Sequence, residues 1–352
     1  MIRHLTLHLT NSCNLNCDYC HVAALQHSST HYGLISDGNI KKLFPPSVNS
    51  VSFAGGEPFF AKQNLYRLIN LLPNYVQSIA ITTNGTLLTD GDFEFLKTKN
   101  IRLQFSIDGC KYFHDSNRGT GCFDIAMRNI FKAISYGIRV DLLTTVSKSN
   151  IQSMDEFLQS VDKKGIENIT LLHFTPKGRG EIHNTEEIED KEWIAFVFNL
   201  IRRDKTRFTR IWVQPRFLTQ DMIKLCNAER EITYCNCYSP SFAYVDLTTG
   251  NIYPCGLSFN TPIIFGNIKD PKIKSINELI AERPNYVIPE ECQDCEYLSS
   301  CKGGAKCYAW LSNKDYNSKD NHCVRSKWLP ICPFPAIMVS GEQMQTKKPT
   351  II

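Results

Sequence analysis

Three observations predict an α/β fold, a partial (β/α)6 TIM-like barrel followed by a cysteine-rich C-terminal extension, for this chain of 352 residues. Short apolar, strand-like runs alternate with helical stretches through the first 180 residues, the order that builds a parallel sheet with right-handed crossovers. Clusters rich in Gly, Asn and Asp stand directly after those runs, where parallel-sheet folds hold their ligands. Ten of the fifteen cysteines fall after residue 225, so the composition changes sharply there.

The elements follow in order. "HLTLHLT", His4 to Thr10, alternates polar and apolar residues as a strand does and runs into a cysteine loop. Ser36 and Asp37 open a helix that ends near Phe44, before Pro45 and Pro46. "SVSFAGGEP" is a strand stopped by Gly55, Gly56, Glu57 and Pro58. Then come a helix from about Gln63 to Leu72, the strand "SIAITTNG", a helix near Asp92 to Lys99 and the strand "IRLQFSIDG". A helix near Phe123 to Tyr136, the strand "IRVDLLTTV", a helix near Ser153 to Lys164 and the strand "NITLLHF" complete six strands.

Residues 181–215 read as an amphipathic helix, acidic before its apolar stripe and basic after it, and then the strand "RIWVQP", with Trp193 and Trp212 as packing residues. The expected organisation is a barrel domain at 1–215 with its core at 1–180, a cysteine-rich domain at 216–335 and a tail at 336–352.

With 42% hydrophobic and 21% charged residues the composition is that of an ordinary globular protein. A net charge of +4 without a concentrated Lys/Arg stripe gives no reason to expect nucleic acid. No apolar run is long enough to span a bilayer, and the start "MIRHLTLHLT" has no signal-like apolar core, so a cytoplasmic location is expected. In a leaderless chain of this size fifteen cysteines read as metal ligands rather than disulfides.

Cys13, Cys17 and Cys20 carry the sharpest signal. Three closely spaced thiolates can hold three irons of a cubane 4Fe-4S cluster and leave the fourth iron open for chemistry. A zinc loop is the alternative, but it wants a fourth ligand at closed tetrahedral geometry, and His21, adjacent to Cys20, is poorly placed to supply one.

The Cys-x3-Cys-x2-Cys spacing with Tyr19 before the last cysteine resembles the cluster loop of the radical S-adenosylmethionine (SAM) enzymes. Further segments carry the resemblance in order, each after an expected strand: "GGEP" at Gly55 to Pro58, "TTNG" at Thr82 to Gly85, "SIDG" at Ser106 to Gly109, "HDSNR" at His114 to Arg118 and "TPKGRG" at Thr175 to Gly180. The resemblance implies a 4Fe-4S cluster on Cys13, Cys17 and Cys20, with SAM chelating the open iron. It implies SAM contacts from Tyr19, Gly55, Gly56, Glu57, Asn84, Ser106, Asp108 and Arg118: the glycines let backbone approach the methionine part, Glu57 accepts from the ammonium, and the polar strand ends meet ribose and carboxylate.

The C-terminal cysteines resemble the SPASM extension of radical SAM peptide-modifying enzymes, which binds two auxiliary 4Fe-4S clusters. "TTGNIYPCG" suits its hairpin, with Gly250 at the turn. The resemblance implies a distal cluster on Cys292, Cys295, Cys301 and Cys323. It implies a proximal one on Cys237, Cys255 and Cys307, with Cys235, or alternatively Cys226, as fourth ligand. One departure stands out: "CKGGAKC" places Ala305 where the pattern has a cysteine and Cys307 two positions later. Cys110, Cys122, Cys226 and Cys332 remain as core or surface thiols.

What the resemblance implies is reductive SAM cleavage to a 5′-deoxyadenosyl radical and hydrogen abstraction from a residue of a ribosomally made peptide, forming a thioether or carbon–carbon cross-link. An electron donor such as flavodoxin or ferredoxin is implied. With twelve residues before Cys13 there is no room for a fused peptide-recognition domain, so leader recognition falls to a separate protein or to the barrel and cap. Sulfatase maturation is the first alternative, but those enzymes place Asp after the Gly-x4-Cys cysteine where this chain has Gly256. Peptide epimerisation using a spare thiol such as Cys110 or Cys122 is the second. A non-catalytic iron-sulfur electron carrier is the third, and it has no use for Glu57 or an open iron. No acid/base pair stands out; Asp108, His114, Asp115 and Tyr308 are within reach of a pocket in this reading.

Overall fold

A computed structural model describes residues 1–26, 34–203, 209–213, 217–218, 235, 237, 240–282, 286–295, 298, 302–321, 323, 329–330 and 337–340. The chain order is β1 (His4–His8), β2 (Ser12–Cys13), β3 (Leu25–Gln26), α1 (Asp37–Lys41), β4 (Ser50–Ala54), α2 (Lys62–Leu71), β5 (Ser78–Thr83), α3 (Asp90–Thr98), β6 (Arg102–Ser106), α4 (Lys111–Arg118), α5 (Cys122–Ser135) and β7 (Val140–Val146). It continues with α6 (Met154–Val161), β8 (Asn168–His173), α7 (Asp190–Arg203), β9 (Arg210–Val213), β10 (Phe217–Leu218), β11 (Phe242–Asp246), β12 (Asn251–Tyr253), β13 (Gly266–Asn267), α8 (Ile276–Ala281), α9 (Lys306–Asn313), β14 (Leu329–Pro330) and β15 (Ile337–Ser340).

Alternation within the strands decides the layers. Leu5, Leu7, Val51, Phe53, Leu103 and Phe105 point outward into one continuous core with the helices, each at most 1% exposed. Their neighbours Thr6, Ser52, Thr82 and Gln104 take the other face and line the inside of the curved sheet. Helix boundaries follow local chemistry: Ser36 caps α1 by accepting from Asn39 N, and Thr89 and Asp92 close a capping box on α3.

The sheet is broader than six strands. Its order is β13-β12-β11-β1-β4-β5-β6-β7-β8-β9-β15, and every pairing from β11 through to β9 is parallel. β9 joins because "RIWV" keeps the same alternation as β8, with Ile211 and Val213 outward. β11, from the cysteine-rich part, pairs with β1 over its whole length, His4↔Phe242 to His8↔Asp246. The free edge of β1 is thereby covered by a strand that the order of the chain alone would put in another domain. The hairpin turn at Gly250 returns β12 antiparallel to β11. "HDSNR" is helical, as α4, and ends at Gly119.

The floor of the sheet is an ionic network. Arg102 on β6 donates to Asp141 on β7 (2.6 Å) and to Glu167 (2.8 Å), while Asn168 on β8 donates to the same Asp141 oxygen (2.6 Å) and accepts from Trp212 on β9 (3.0 Å). Trp193 packs in the outer core. Burial pushes the Asp141 carboxyl above the usual range, and the Arg102 guanidinium opposes that push. No described helix is long and apolar enough to cross a membrane.

Removing one partner of that pair leaves a buried carboxylate, 2% exposed, without its counter-charge. Arg102→Met is therefore expected to lower stability by about 3–5 kcal/mol in urea denaturation, with Arg102→Met/Asp141→Asn recovering much of the loss.

Candidate active site

The loop carrying Cys13, Cys17 and Cys20 has little regular structure of its own beyond the two-residue β2–β3 pairing, so its backbone groups must be satisfied from elsewhere. The strand ends do this. Gly56 N donates to Thr10 O (2.6 Å) and Glu57 N to Ser12 O (2.9 Å). A Cβ on Gly56 would lie 2.2 Å from Ser12 O, so that glycine is required by the approach of the chain's own loop.

Asp18 N donates to Asn117 O (3.1 Å) and Tyr19 N to Asn117 Oδ1 (3.1 Å). On the far side Arg179 N and Nε donate to Cys20 O (3.1 Å) and Cys17 O (2.9 Å), and Arg179 Nη1 donates to Ala24 O.

Within this frame Cys13 is buried and Cys17 and Cys20 are half-buried. The sulfurs accept from the loop itself, Cys13 from Leu15 N (3.4 Å) and Cys20 from Ala24 N (3.3 Å). Burial pushes the Cys13 thiol up to about 12 and raises Cys17 as well, which favours the neutral thiols until a bound metal displaces their protons to solvent. Among the described residues no three His, Cys, Asp or Glu side chains converge as a single-ion site requires; a cubane, with a separate iron for each thiolate, does not ask for that convergence. The donor set fits the 4Fe-4S cluster that the motif implies.

Glu57 is 1% exposed and ties the ends of β4 and β5 together. Its Oε1 accepts from Phe59 N (3.1 Å) and Thr83 Oγ1 (2.8 Å), and its Oε2 accepts from Asn84 N (2.8 Å). Burial raises its carboxyl to about 7 against the pull of these donors. Oε2 keeps acceptor capacity for one more donor. Asn84 Nδ2 reaches Asn14 Oδ1 (3.0 Å).

Asp108, at the end of β6, accepts from Arg118 Nε and Nη2 (2.7 and 3.0 Å), Asn117 Nδ2 (2.6 Å) and Thr145 N (3.4 Å). Both of its oxygens are taken by donors of this chain. The guanidinium is fixed bidentately, and its Nη1 has no hydrogen bond among the described residues. Ser106 is half-exposed on the lumen side.

The other acid/base candidates are structural. His114 Nδ1 accepts from Asp108 N (3.2 Å), and Asp115 caps α5 by accepting from Gly121 N (3.0 Å) and Phe123 N (2.8 Å). Tyr308 is 4% exposed.

Two further thiol groups lie in the C-terminal region. Cys235, Cys237, Cys255 and Cys307 share one buried cluster with Ile263, Ala305 and Tyr308, and the Cys255 thiol is drawn down by a hydrogen bond with Cys307. The shifted Cys307 arrives there because Gly303 and Gly304 take positive φ (86° and 81°) before α9. Cys292 is within electrostatic reach of Cys323 and Cys295. Cys301, Cys226 and Cys332 lie outside the described residues. Cys110 and Cys122 sit at the starts of α4 and α5, away from both groups.

Both cations of "TPKGRG", Lys177 and Arg179, bond backbone carbonyls. Lys177, 5% exposed, donates to Phe259 O (2.7 Å), His21 O (3.4 Å) and Gly256 O (3.4 Å). Burial pulls its pKa down to about 8. The available signal was a lysine and an arginine in a strand-end turn with glycines on either side, which needs carbonyl partners somewhere.

Residues 7–161 match the model of the Radical SAM superfamily. Over 345 residues the chain is 25% identical to the AdoMet-dependent heme synthase of Methanosarcina barkeri, covering 92% of this chain and 96% of that protein. It is 22% identical over 325 residues to a cysteine-type anaerobic sulfatase-maturating enzyme of Clostridium perfringens, covering 84% and 86%. It is 26% identical over 344 residues to the antilisterial bacteriocin subtilosin biosynthesis protein AlbA of Bacillus subtilis, covering 92% and 71%. The crystal structure of Streptococcus suis SuiB bound to S-adenosylmethionine shares the fold with a TM-score of 0.67 at 15% identity, over 92% of this chain and 77% of that one.

Two outcomes are expected. Gly56→Ala should abolish cluster loading at Cys13, Cys17 and Cys20, read as lost iron, because the new methyl overlaps Ser12 O. The His114 pKa is lowered to about 4 by burial. The neutral ring thus contributes stability that is fully present above the unfolded value of about 6.5 and is lost as pH falls towards 4. The urea midpoint of the wild type should drop across that window by more than that of His114→Gln.

Proposed function

Since residues 7–161 are a radical SAM domain and the chain is an enzyme, we propose that it is a peptide maturase with a SPASM region. In this reading it abstracts hydrogen from a residue of a ribosomally synthesised peptide and closes a thioether or carbon–carbon cross-link. The observation that carries this is a second buried thiol group, Cys235, Cys237, Cys255 and Cys307, tied to the Cys13/Cys17/Cys20 loop by Lys177, which donates to His21 O after Cys20 and to Gly256 O after Cys255.

When bound, the cluster and SAM supply a 5′-deoxyadenosyl radical. The residues here bind and orient. Glu57 Oε2 accepts from the SAM ammonium, Arg118 Nη1 faces the carboxylate, and Asn84 and Ser106 offer polar groups beside them. Tyr19, packed on Phe174 (4.7 Å) and His183 (5.5 Å), walls the loop against water. Cys235, Cys237, Cys255 and Cys307 hold a proximal auxiliary 4Fe-4S cluster, and Cys292, Cys295, Cys301 and Cys323 a distal one. A flavodoxin or ferredoxin supplies electrons.

Two features favour a peptide. Most lumen and rim cations among the described residues are already engaged, Arg102 by Asp141 and Glu167, Arg210 by Glu167 (3.6 Å) and Lys177 by three carbonyls, while Arg118 Nη1 and Arg179 Nη2 keep open donors. A haem-type macrocycle, with its carboxylates, finds few free partners among them, whereas the hydroxyl-lined lumen suits neutral amides. AlbA is a bacteriocin biosynthesis protein, and SuiB is also known bound to the precursor peptide SuiA. Against formylglycine formation, position 256 has no carboxylate: a Cβ there would look onto the Tyr244 ring (3.5 Å) and His21 Nε2 (3.9 Å).

The reconstituted chain with SAM and dithionite should release 5′-deoxyadenosine, and a short peptide encoded beside the gene should lose the mass of two hydrogens. A peptide mass unchanged in H2O and raised by one deuterium in D2O would replace cross-linking by epimerisation. Iron should approach about twelve per chain and fall to about eight in a Cys13/Cys17/Cys20 triple Ala variant. Glu57→Gln is expected to weaken SAM binding about tenfold in equilibrium dialysis without changing iron content.

A further inference from the structure

Two buried lysines are unclaimed by any of this chemistry. Lys177 follows β8 and has its three N–H donors spread over three carbonyls from two different regions: His21, directly after Cys20, and Gly256 and Phe259, directly after Cys255. Its ammonium is within electrostatic reach of Cys255, Cys307, Glu181 and Cys20. The turn is pressed onto the loop, since a Cβ on Gly178 would lie 2.5 Å from Cys20 O. Phe259, 0% exposed, stacks on His8 (4.3 Å) and completes an apolar contact with Cys13, Val22, Tyr244 and Tyr253.

Lys306 repeats the arrangement one step on. It is 0% exposed, directly precedes Cys307, donates from Nζ to Val287 O (3.0 Å) and lies within electrostatic reach of Cys235, Cys237, Cys292 and Asp315. Burying a cation costs several kcal/mol unless negative charge answers it. Glu181 near Lys177 and Asp315 near Lys306 supply part of that charge, and neutral thiols and carbonyls add little. Clusters bound by thiolates answer it fully, because each is anionic and gains further negative charge on reduction.

We propose that Lys177 and Lys306 are positioning residues that place one fixed positive charge between each consecutive pair of thiol sites, easing reduction of the two clusters they separate. Lys177 also bolts the Cys13/Cys17/Cys20 loop to the turn after Cys255. The inference rests on the auxiliary-cluster reading for the Cys235/Cys237/Cys255/Cys307 and Cys292/Cys295/Cys323 sites; the Cys13/Cys17/Cys20 arm does not need it.

The test is an EPR-monitored redox titration of the reconstituted chain with Lys177→Met, Lys177→Arg and Lys306→Met, together with hydrogen exchange. Lys177→Met should lower the reduced-to-oxidised ratio of the Cys13/Cys17/Cys20 and proximal clusters roughly tenfold at a fixed poise and leave the distal one unchanged. Lys306→Met should do the same to the proximal and distal clusters alone. Lys177→Arg, which keeps the charge but cannot point three donors at one place, should keep the potentials. Both Lys177 variants should raise exchange at the amides of residues 256–261 about tenfold.

Equal shifts at all three clusters, or none, would overturn the charge assignment, and unchanged exchange would overturn the bolt. Wild-type iron near four per chain would instead remove the auxiliary clusters, leaving the first cluster's response to Lys177→Met as the deciding result.

Discussion

A loop with almost no secondary structure holds the three cysteines of the site, and the rest of the structure depends on how that loop's backbone is satisfied. Thr10 O and Ser12 O take N–H groups from Gly56 and Glu57, Asp18 N and Tyr19 N go to Asn117, and Cys17 O, Cys20 O and Ala24 O go to Arg179. The partners come from three separate places, the end of β4, helix α4 and the turn after β8. A buried backbone group left unpaired costs about as much as a lost hydrogen bond, so the loop has one low-energy shape only when all the strand ends are present together. Three thiols are thereby held in place before any metal arrives.

The same economy explains why several polar residues serve the protein rather than a ligand. Asp108 spends all its acceptor capacity on Arg118, Asn117 and Thr145 N, which leaves Arg118 rigid. Glu57 ties Phe59, Thr83 and Asn84 into one unit and keeps one acceptor site open. Such anchored side chains present their remaining atoms at little further entropic cost. The C-terminal region takes part directly: β11 extends the sheet along β1, and Phe259 packs on His8 at the mouth of the loop. The cysteine-rich part is built into the barrel edge.

Much of this was legible in the sequence. Alternation in "HLTLH" and "SVSFA" places β1 and β4, and the outward Leu5, Leu7, Val51 and Phe53 are the core that alternation predicts. Gly55-Gly56-Glu57 after a strand marks a ligand-binding strand end, yet the reason for Gly56 differs from the expected one: its missing Cβ makes room for Ser12 O. Helix α4 was hidden because "HDSNR" is mostly polar, and its burial comes from packing by His114 and Asn117 rather than from an apolar stripe.

By itself the sequence determined the metal-binding chemistry, the alternation of strands and helices and the positions of the strand-end motifs, because these depend on residue type and short-range spacing. Only the tertiary structure decided that β11 pairs with β1, that Cys307 meets Cys255 despite its shifted position, that Arg118 grips Asp108 with two nitrogens, and that Lys177 reaches the carbonyls after both Cys20 and Cys255. Those are contacts between residues up to hundreds of positions apart, such as His8 with Tyr244. A lysine has no local pattern that names its partners; three carbonyls from two distant turns converge on Lys177 only once the sheet has closed.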